Sequence, residues 1–137
     1  MVPDSYLDSM DLQSRTVTWR ERVVSGQRHV AAAWSDAAVV GVVSWTADAS
    51  PQQVDELNTL YVSVALHGTG LAGELLAVAL GTRAARLWVF EANNQARRFY
   101  GKHGFAATGA AQVDPGTGVW ELELARPAAI EEYRRLV

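Results

Sequence analysis

The chain has 137 residues, 49% of them apolar and 20% charged. That is enough for one globular domain with a real core, and it excludes disordered or collagen-like composition. The formal net charge of −3 argues against a general nucleic-acid binder, and the absence of cysteine excludes disulfides and thiolate zinc sites.

The N-terminal MVPDSYLDSMDLQ lacks the basic stretch and apolar run of a secretory signal. The longest apolar runs (AAAW, AVVGVV, LAVAL) are too short to span a bilayer, so a cytoplasmic protein without membrane contact is expected. Residues 11–25 read as a helix, with Asp11 as N-cap, Leu12, Thr16, Trp19 and Val23 on one stripe, and Gly26 as stop. His29–Trp34 and Val39–Trp45 are β-branched apolar runs that predict an antiparallel hairpin. A loop around Pro51 follows, then a strand over Glu56–Val64.

Beyond that strand a helix is predicted with Leu71, Leu75, Val78 and Ala79 on one face, ended by Gly81. Arg86–Glu91 reads as a strand. Asn93 or Asn94 then caps a helix whose inner face is Ala96, Phe99, Tyr100 and His103, with Gly104 as its left-handed stop. Phe105–Ala111 and Val119–Leu124 read as strands joined through Asp114-Pro115-Gly116, and a helix over Ala128–Leu136 follows Pro127. The expected fold is mixed α/β: a mostly antiparallel sheet around one parallel β-α-β crossover, in a single domain over 1–137.

The sharpest local signal is the turn His67-Gly68-Thr69-Gly70-Leu71-Ala72-Gly73 between strand and helix. Glycines let the backbone approach a ligand, and the helix N-terminus behind them adds partial positive charge, a combination suited to phosphate or pyrophosphate. A plain strand-to-helix turn would look similar. Gly68, Gly70 and Gly73 also satisfy G-x-G-x-x-G, with Glu91 where a ribose-binding acid would fall. Against that dinucleotide reading, Ser63–His67 intervene after the strand, a hairpin precedes the turn, and the chain is short for a second nucleotide-binding half.

The stretch ELNTLYVSVALHGTGLAGELL resembles motif A of the GNAT N-acetyltransferase superfamily: a strand ending L-Y-V, a gap, then [QR]-G-x-G-[ILV]-[GA]. LWVFEANNQARRFYGKHGF is similar to its motif B, an apolar strand followed by N-x-x-A and F-Y-x-K-x-G-F. His67 stands where the family usually has Gln or Arg, and Val64 where Pro is common.

The resemblance implies that the backbone of His67, Gly68, Thr69, Gly70, Leu71 and Ala72 cradles the pyrophosphate of acetyl-CoA. Tyr61 and Val62 would hold the pantetheine arm, and an amide near Val62 would polarise the acetyl carbonyl. Tyr100 would protonate the departing thiolate, although core packing also accounts for it. Asn93 would cap its helix and contact the CoA arm. Glu56 is the implied general base, directly or through a water, with Asp55 a possible substitute and a solvated carboxylate the alternative. Arg97, Arg98 and Lys102 could meet the CoA 3′-phosphate or simply be solvated. His29, His67 and His103 lack metal-ligand spacing, so no metal is expected.

The implied activity is direct acetyl transfer to a primary amine, of a small molecule or a peptide, in a ternary complex. A CoA-binding module without turnover is the alternative. Relative to the family, a first strand and helix of roughly 25–40 residues are missing ahead of the chain. That would expose the edge of the His29–Trp34 strand, so a homodimer, or cover by the C-terminal helix, is expected; a different start codon or shortened chain would also explain the gap.

Overall fold

The structure, a computed structural model, describes residues 5–12, 15–25, 28–48 and 52–128, with the backbone alone described for 5–25. The chain divides into two compact units, Met1–Gly81 and Thr82–Val137.

In the first unit, β1 (Ser5–Leu12), β2 (Arg15–Ser25), β3 (Arg28–Ser35), β4 (Ala38–Thr46) and β5 (Asp55–Val62) form an antiparallel sheet in chain order. The helix expected over 11–25 is therefore the end of β1 and all of β2. Thr16-Val17-Thr18 and Val23-Val24 are β-branched and favour extended backbone, and pairing of β2 with β3 outweighs the accidental helical spacing. The same pairing covers the edge of β3 that was expected to be open, and Trp34 is half-buried.

The β3–β4 hairpin is closed by Asp36 and Ala37, with φ of 51° and 64°. Two positive-φ residues are what a tight two-residue turn needs to match the twist of its strands. Helix α1 (Leu71–Leu80) packs on β3, β4 and β5 and buries Leu71, Leu75, Leu76, Ala79 and Leu80 against Ala31, Ala33, Val43 and Leu57. Each buried leucine contributes about 1.5–3 kcal/mol of transfer free energy. The expected inner-face Val78 is 40% exposed, and Leu76 and Leu80 take its place. Close approach of α1 depends on Gly41, where an added Cβ would lie 2.8 Å from Leu75 Cδ1. Gly81 ends α1 as expected.

In the second unit, β6 (Ala85–Phe90), β8 (Trp120–Arg126) and β7 (Ala106–Val113) pair antiparallel in that order. Helix α2 (Asn94–Lys102) is capped by Asn93 and followed by Gly104 at φ 91°. Its half-buried positions are Ala96, Phe99 and Tyr100, with His103 just beyond, as the sequence pattern indicated. Asp114 closes the β7–β8 turn by accepting from the Thr117 N–H and hydroxyl. The helix expected over Ala128–Leu136 lies, beyond its first residue, outside the described residues, as does the stop at Gly26. In chain order β5, α1 and β6 follow one another as a β-α-β crossover requires.

Candidate active site

Strand β5 ends at Val62, and a 3-10 turn, Val64–Leu66, separates it from the glycine segment. Gly68 and Gly70 have φ of +81° and +90°, and a Cβ on either would meet nothing within 4 Å. The glycines thus relieve no crowding within the chain. They permit a left-handed backbone and keep the space in front of it open.

Two N–H groups of this segment are satisfied inside the turn: His67 donates to Val64 at 3.1 Å and Thr69 to Leu66 at 3.3 Å. The Thr69 hydroxyl donates to the Leu66 carbonyl at 2.6 Å, and the Leu71 N–H lies 3.4 Å from that hydroxyl oxygen. The first bond inside α1 runs from the Glu74 N–H to the Gly70 carbonyl. The N–H groups of Gly68, Gly70, Ala72 and Gly73 consequently have no acceptor among the described residues. Together with the helix dipole they form a ready anion site. Gly70, the N-cap of α1, has no side chain to make a capping hydrogen bond.

His67 is exposed, and its Nε2 lies 3.0 Å from the Val62 carbonyl. Donation to that oxygen places a hydrogen on Nε2 and ties the turn to the end of β5. Sequence reasoning missed this contact.

A β-bulge in β5 was also missed. Ser44 pairs with Thr59 but Trp45 with Leu57, so Asn58 is the extra residue, and its Oδ1 accepts from the Thr46 hydroxyl. An asparagine inside a strand run was the available signal. The bulge has a consequence for chemistry. Leu57, Leu60 and Val62 share the register face of Trp45, Val43 and Gly41, which meets α1, while Glu56, Thr59 and Tyr61 face away with Thr46, Ser44 and Val42. Asp55 is adjacent to Glu56 and so points to the other face. It is buried, with Oδ1 accepting the Asp48 N–H at 3.1 Å, while Asp48 Oδ2 accepts the Val54 N–H at 3.0 Å. Asp55 thus clamps a loop on the face opposite Glu56. Tyr61 is 56% exposed, so its side chain is not core.

In the second unit, Asn93 Oδ1 accepts the Ala96 N–H at 3.1 Å and caps α2. Tyr100 is half-buried, edge-on to Phe99 at 5.3 Å and to Phe105 at 5.6 Å. Burial pushes its phenol up to about 12, so it holds its proton throughout the ordinary pH range. Arg97 donates from Nη1 to the Glu91 carbonyl at 2.9 Å, and Arg98 and Lys102 are exposed. Arg97 and Arg98 rim a shallow cavity of about 360 Å³ floored by Phe105 and Leu124. The structure therefore brings Tyr61, Val62 and the 67–72 turn together at the end of β5, with Glu56 near the start of that strand, in the first unit, and places Asn93 and Tyr100 in the second.

Among the described residues no cluster of three His, Cys, Asp or Glu could hold a metal ion. No helix is long and apolar enough to cross a membrane.

Comparison with solved structures gives the same fold at low identity. A GNAT-family protein from Desulfovibrio desulfuricans is 20% identical at TM-score 0.64, with 75% of this chain and 70% of that one covered. The GNAT acetyltransferase from Streptococcus pneumoniae is 21% identical at TM-score 0.62, covering 77% and 69%. A chain of the NatC complex solved with Gag peptide and CoA is 16% identical at TM-score 0.62, covering 73% and 71%. No curated protein sequence matches. Residues 9–124 match the family model described as "Acetyltransferase (GNAT) domain", which is most of the chain, and the protein belongs to that family.

Proposed function

We propose that the chain is an acetyl-CoA-dependent N-acetyltransferase, one functional domain over 1–137, acting by direct transfer to a primary amine. The observation that carries the reading is the turn at Gly68 and Gly70: left-handed backbone, open space, and unsatisfied N–H groups at the head of α1. The backbone of Gly68, Gly70 and Ala72 holds the pyrophosphate, with His67, Thr69 and Leu71 keeping the turn in shape. Backbone groups of Tyr61 and Val62 hold the pantetheine arm, and an amide near Val62 polarises the thioester carbonyl. The His67 contact to the Val62 carbonyl fixes the strand end against which that arm lies. Asn93 orders the N-terminus of α2 and contacts the arm.

The free amine attacks the thioester carbonyl carbon, forming a C–N bond and breaking the C–S bond. Glu56 accepts the ammonium proton. It stands six positions before Val62, about 20 Å away at about 3.3 Å per residue of strand, so a chain of several ordered waters relays that proton. Tyr100 donates its proton to the departing thiolate, a role for which a phenol kept protonated is suited. The chain has no cysteine to carry an acyl intermediate, which favours the direct route. Acetyl-CoA is an intracellular metabolite, so the reaction belongs in the cytoplasm.

Thiol release from acetyl-CoA with a panel of amines tests the reading. Turnover on at least one amine is expected; tight CoA binding with no turnover on any amine would make the chain a CoA-binding module. Binding of NAD but not CoA would restore the dinucleotide reading, against which the 3-10 turn between β5 and the glycines already weighs. A homodimer remains part of the proposal. With β3 paired by β2, it would use another surface, and light scattering at micromolar concentration measures it.

A further inference from the structure

The sheet face opposite α1 carries a buried polar group that no described residue satisfies. An added Cβ at Gly41 points at Leu71 and Leu75, so positions 42, 44 and 46 of β4 point to the other side. The register puts Val30 and Thr59 beside Ser44, Ala32 and Tyr61 beside Val42, and Glu56 beside Thr46 on that side. Among the described residues of this unit no helix lies on that face, since α1 is on the other. Ser44 is only 5% exposed, and its Oγ has no hydrogen-bond partner among the described residues. A hydroxyl buried without a partner is unfavourable and normally has a reason. Here it is surrounded by half-buried Val30 and Val42, while its neighbours on β5, Thr59 and Tyr61, are exposed.

We infer that Ser44 is a specificity-determining residue for the amine acceptor, an inference that rests on the acetyl-transfer reading above. The acceptor lies along this face with its amine at the Tyr61–Val62 end of β5 and a hydroxyl or carbonyl bonded to Ser44 Oγ. The Val42–Tyr61 and Ser44–Thr59 pairs are two residues apart, roughly 7 Å along the strand. That spacing selects a small primary amine with an apolar stem and a hydrogen-bonding group about five carbons away. The Val30, Ala32 and Val42 side chains accommodate the stem. The exposed Thr59 and Tyr61 side chains border the hydroxyl and turn aside as the acceptor enters.

The test compares kcat/KM for 5-aminopentan-1-ol, its isostere hexylamine, and the shorter 2-aminoethanol in the wild type and in Ser44→Ala. The wild type is expected to prefer 5-aminopentan-1-ol to both others by roughly five- to tenfold, the effect of one neutral hydrogen bond. In Ser44→Ala that preference falls below twofold. Ratios within one variant are insensitive to a loss of folded enzyme, and the wild-type ratios alone decide the matter if the variant does not fold. Equal rates for the alcohol and its isostere, a preference that survives Ser44→Ala, or acetylation of peptide N-termini ahead of every small amine would each overturn the assignment while leaving acetyl transfer intact. Absence of thiol release with every amine, CoA still binding, would overturn the acetyl-transfer reading and this one with it.

Discussion

Replacing Gly70 by Glu tests the phosphate cradle most directly, provided that the size-matched Gly70→Gln is measured beside it. At φ +90° any side chain sits in the left-handed region, which costs about 1–2 kcal/mol in both variants. The site is otherwise empty within 4 Å, so no packing is lost and both proteins remain folded. Glu and Gln therefore carry the same strain and similar bulk and differ in one charge. At roughly 5 Å from a phosphate, with an effective dielectric of about 20–80, one like-charge pair is worth about 0.8–3 kcal/mol. A pyrophosphate doubles this to about 2–6 kcal/mol, so CoA should bind Gly70→Glu at least roughly 30-fold more weakly than Gly70→Gln. Calorimetric titration with CoA, at low and high salt, reads the difference, and raising the salt should narrow it. Equal CoA affinity for the two variants, both folded by circular dichroism, would refute the placement of the pyrophosphate at this turn.

Tyr100→Phe should lower kcat about 100-fold or more while leaving CoA affinity unchanged, since only the proton donor is lost. Burial raises the Tyr100 phenol, so the unfolded chain ionises first; stability is complete below pH 10 and falls as pH rises toward 12, and absorbance titration should show a late tyrosinate component that the variant lacks. His103 is held below its ordinary value by burial, then by the charges of Arg126 and Lys102. The folded form thus binds that proton less readily than the unfolded form. Stability should be complete above about pH 6.5 and decline as pH falls through the lower folded value, with a shallower decline in thermal melts of His103→Asn. Ala37→Gly should stabilise the fold by about 0.5–1 kcal/mol, because φ of 64° strains alanine more than glycine loses in chain entropy; a lowered melting temperature would contradict the turn geometry.

Local chemistry was legible in the sequence wherever a short segment decides its own conformation. Asn93 and Gly104 bound α2, the apolar runs flanking Asp36-Ala37 form their hairpin, and the glycine turn opens α1. Residues 11–25 were misread because Leu12, Thr16, Trp19 and Val23 happen to recur at helical spacing, whereas the deciding interaction is the ladder with β3, which no local pattern reports. Val78 was assigned to the core of α1 because one face of a helix can be drawn through either Val78 or Leu76 and Leu80; the contact with the sheet selects the leucines. In the site, the glycines were visible and the side chains that use them were not. His67 reaching Val62 depends on the path of the intervening 3-10 turn, and the clamp between Asp55 and Asp48 depends on a fold-back of the loop between them.

The bulge at Asn58 shows why register, more than residue type, decides which groups can meet a substrate. Without it, Glu56 would alternate in phase with Leu60 and Val62 and face the underside of α1, where an ionised carboxylate would be buried among leucines. One extra residue turns Glu56 to the open face and leaves Leu57 to pack. Gly41 acts on the other side of the same sheet. Its missing side chain admits Leu71 and Leu75, 3.3 and 2.8 Å from where a Cβ would be, and Leu71 is the first residue of α1. Any side chain at 41 would displace the ends of the Leu75 and Leu71 side chains from the sheet. The head of α1 and the face carrying Glu56 are thus set by packing on opposite sides of one pair of strands, β4 and β5, through a glycine in one and an extra residue in the other.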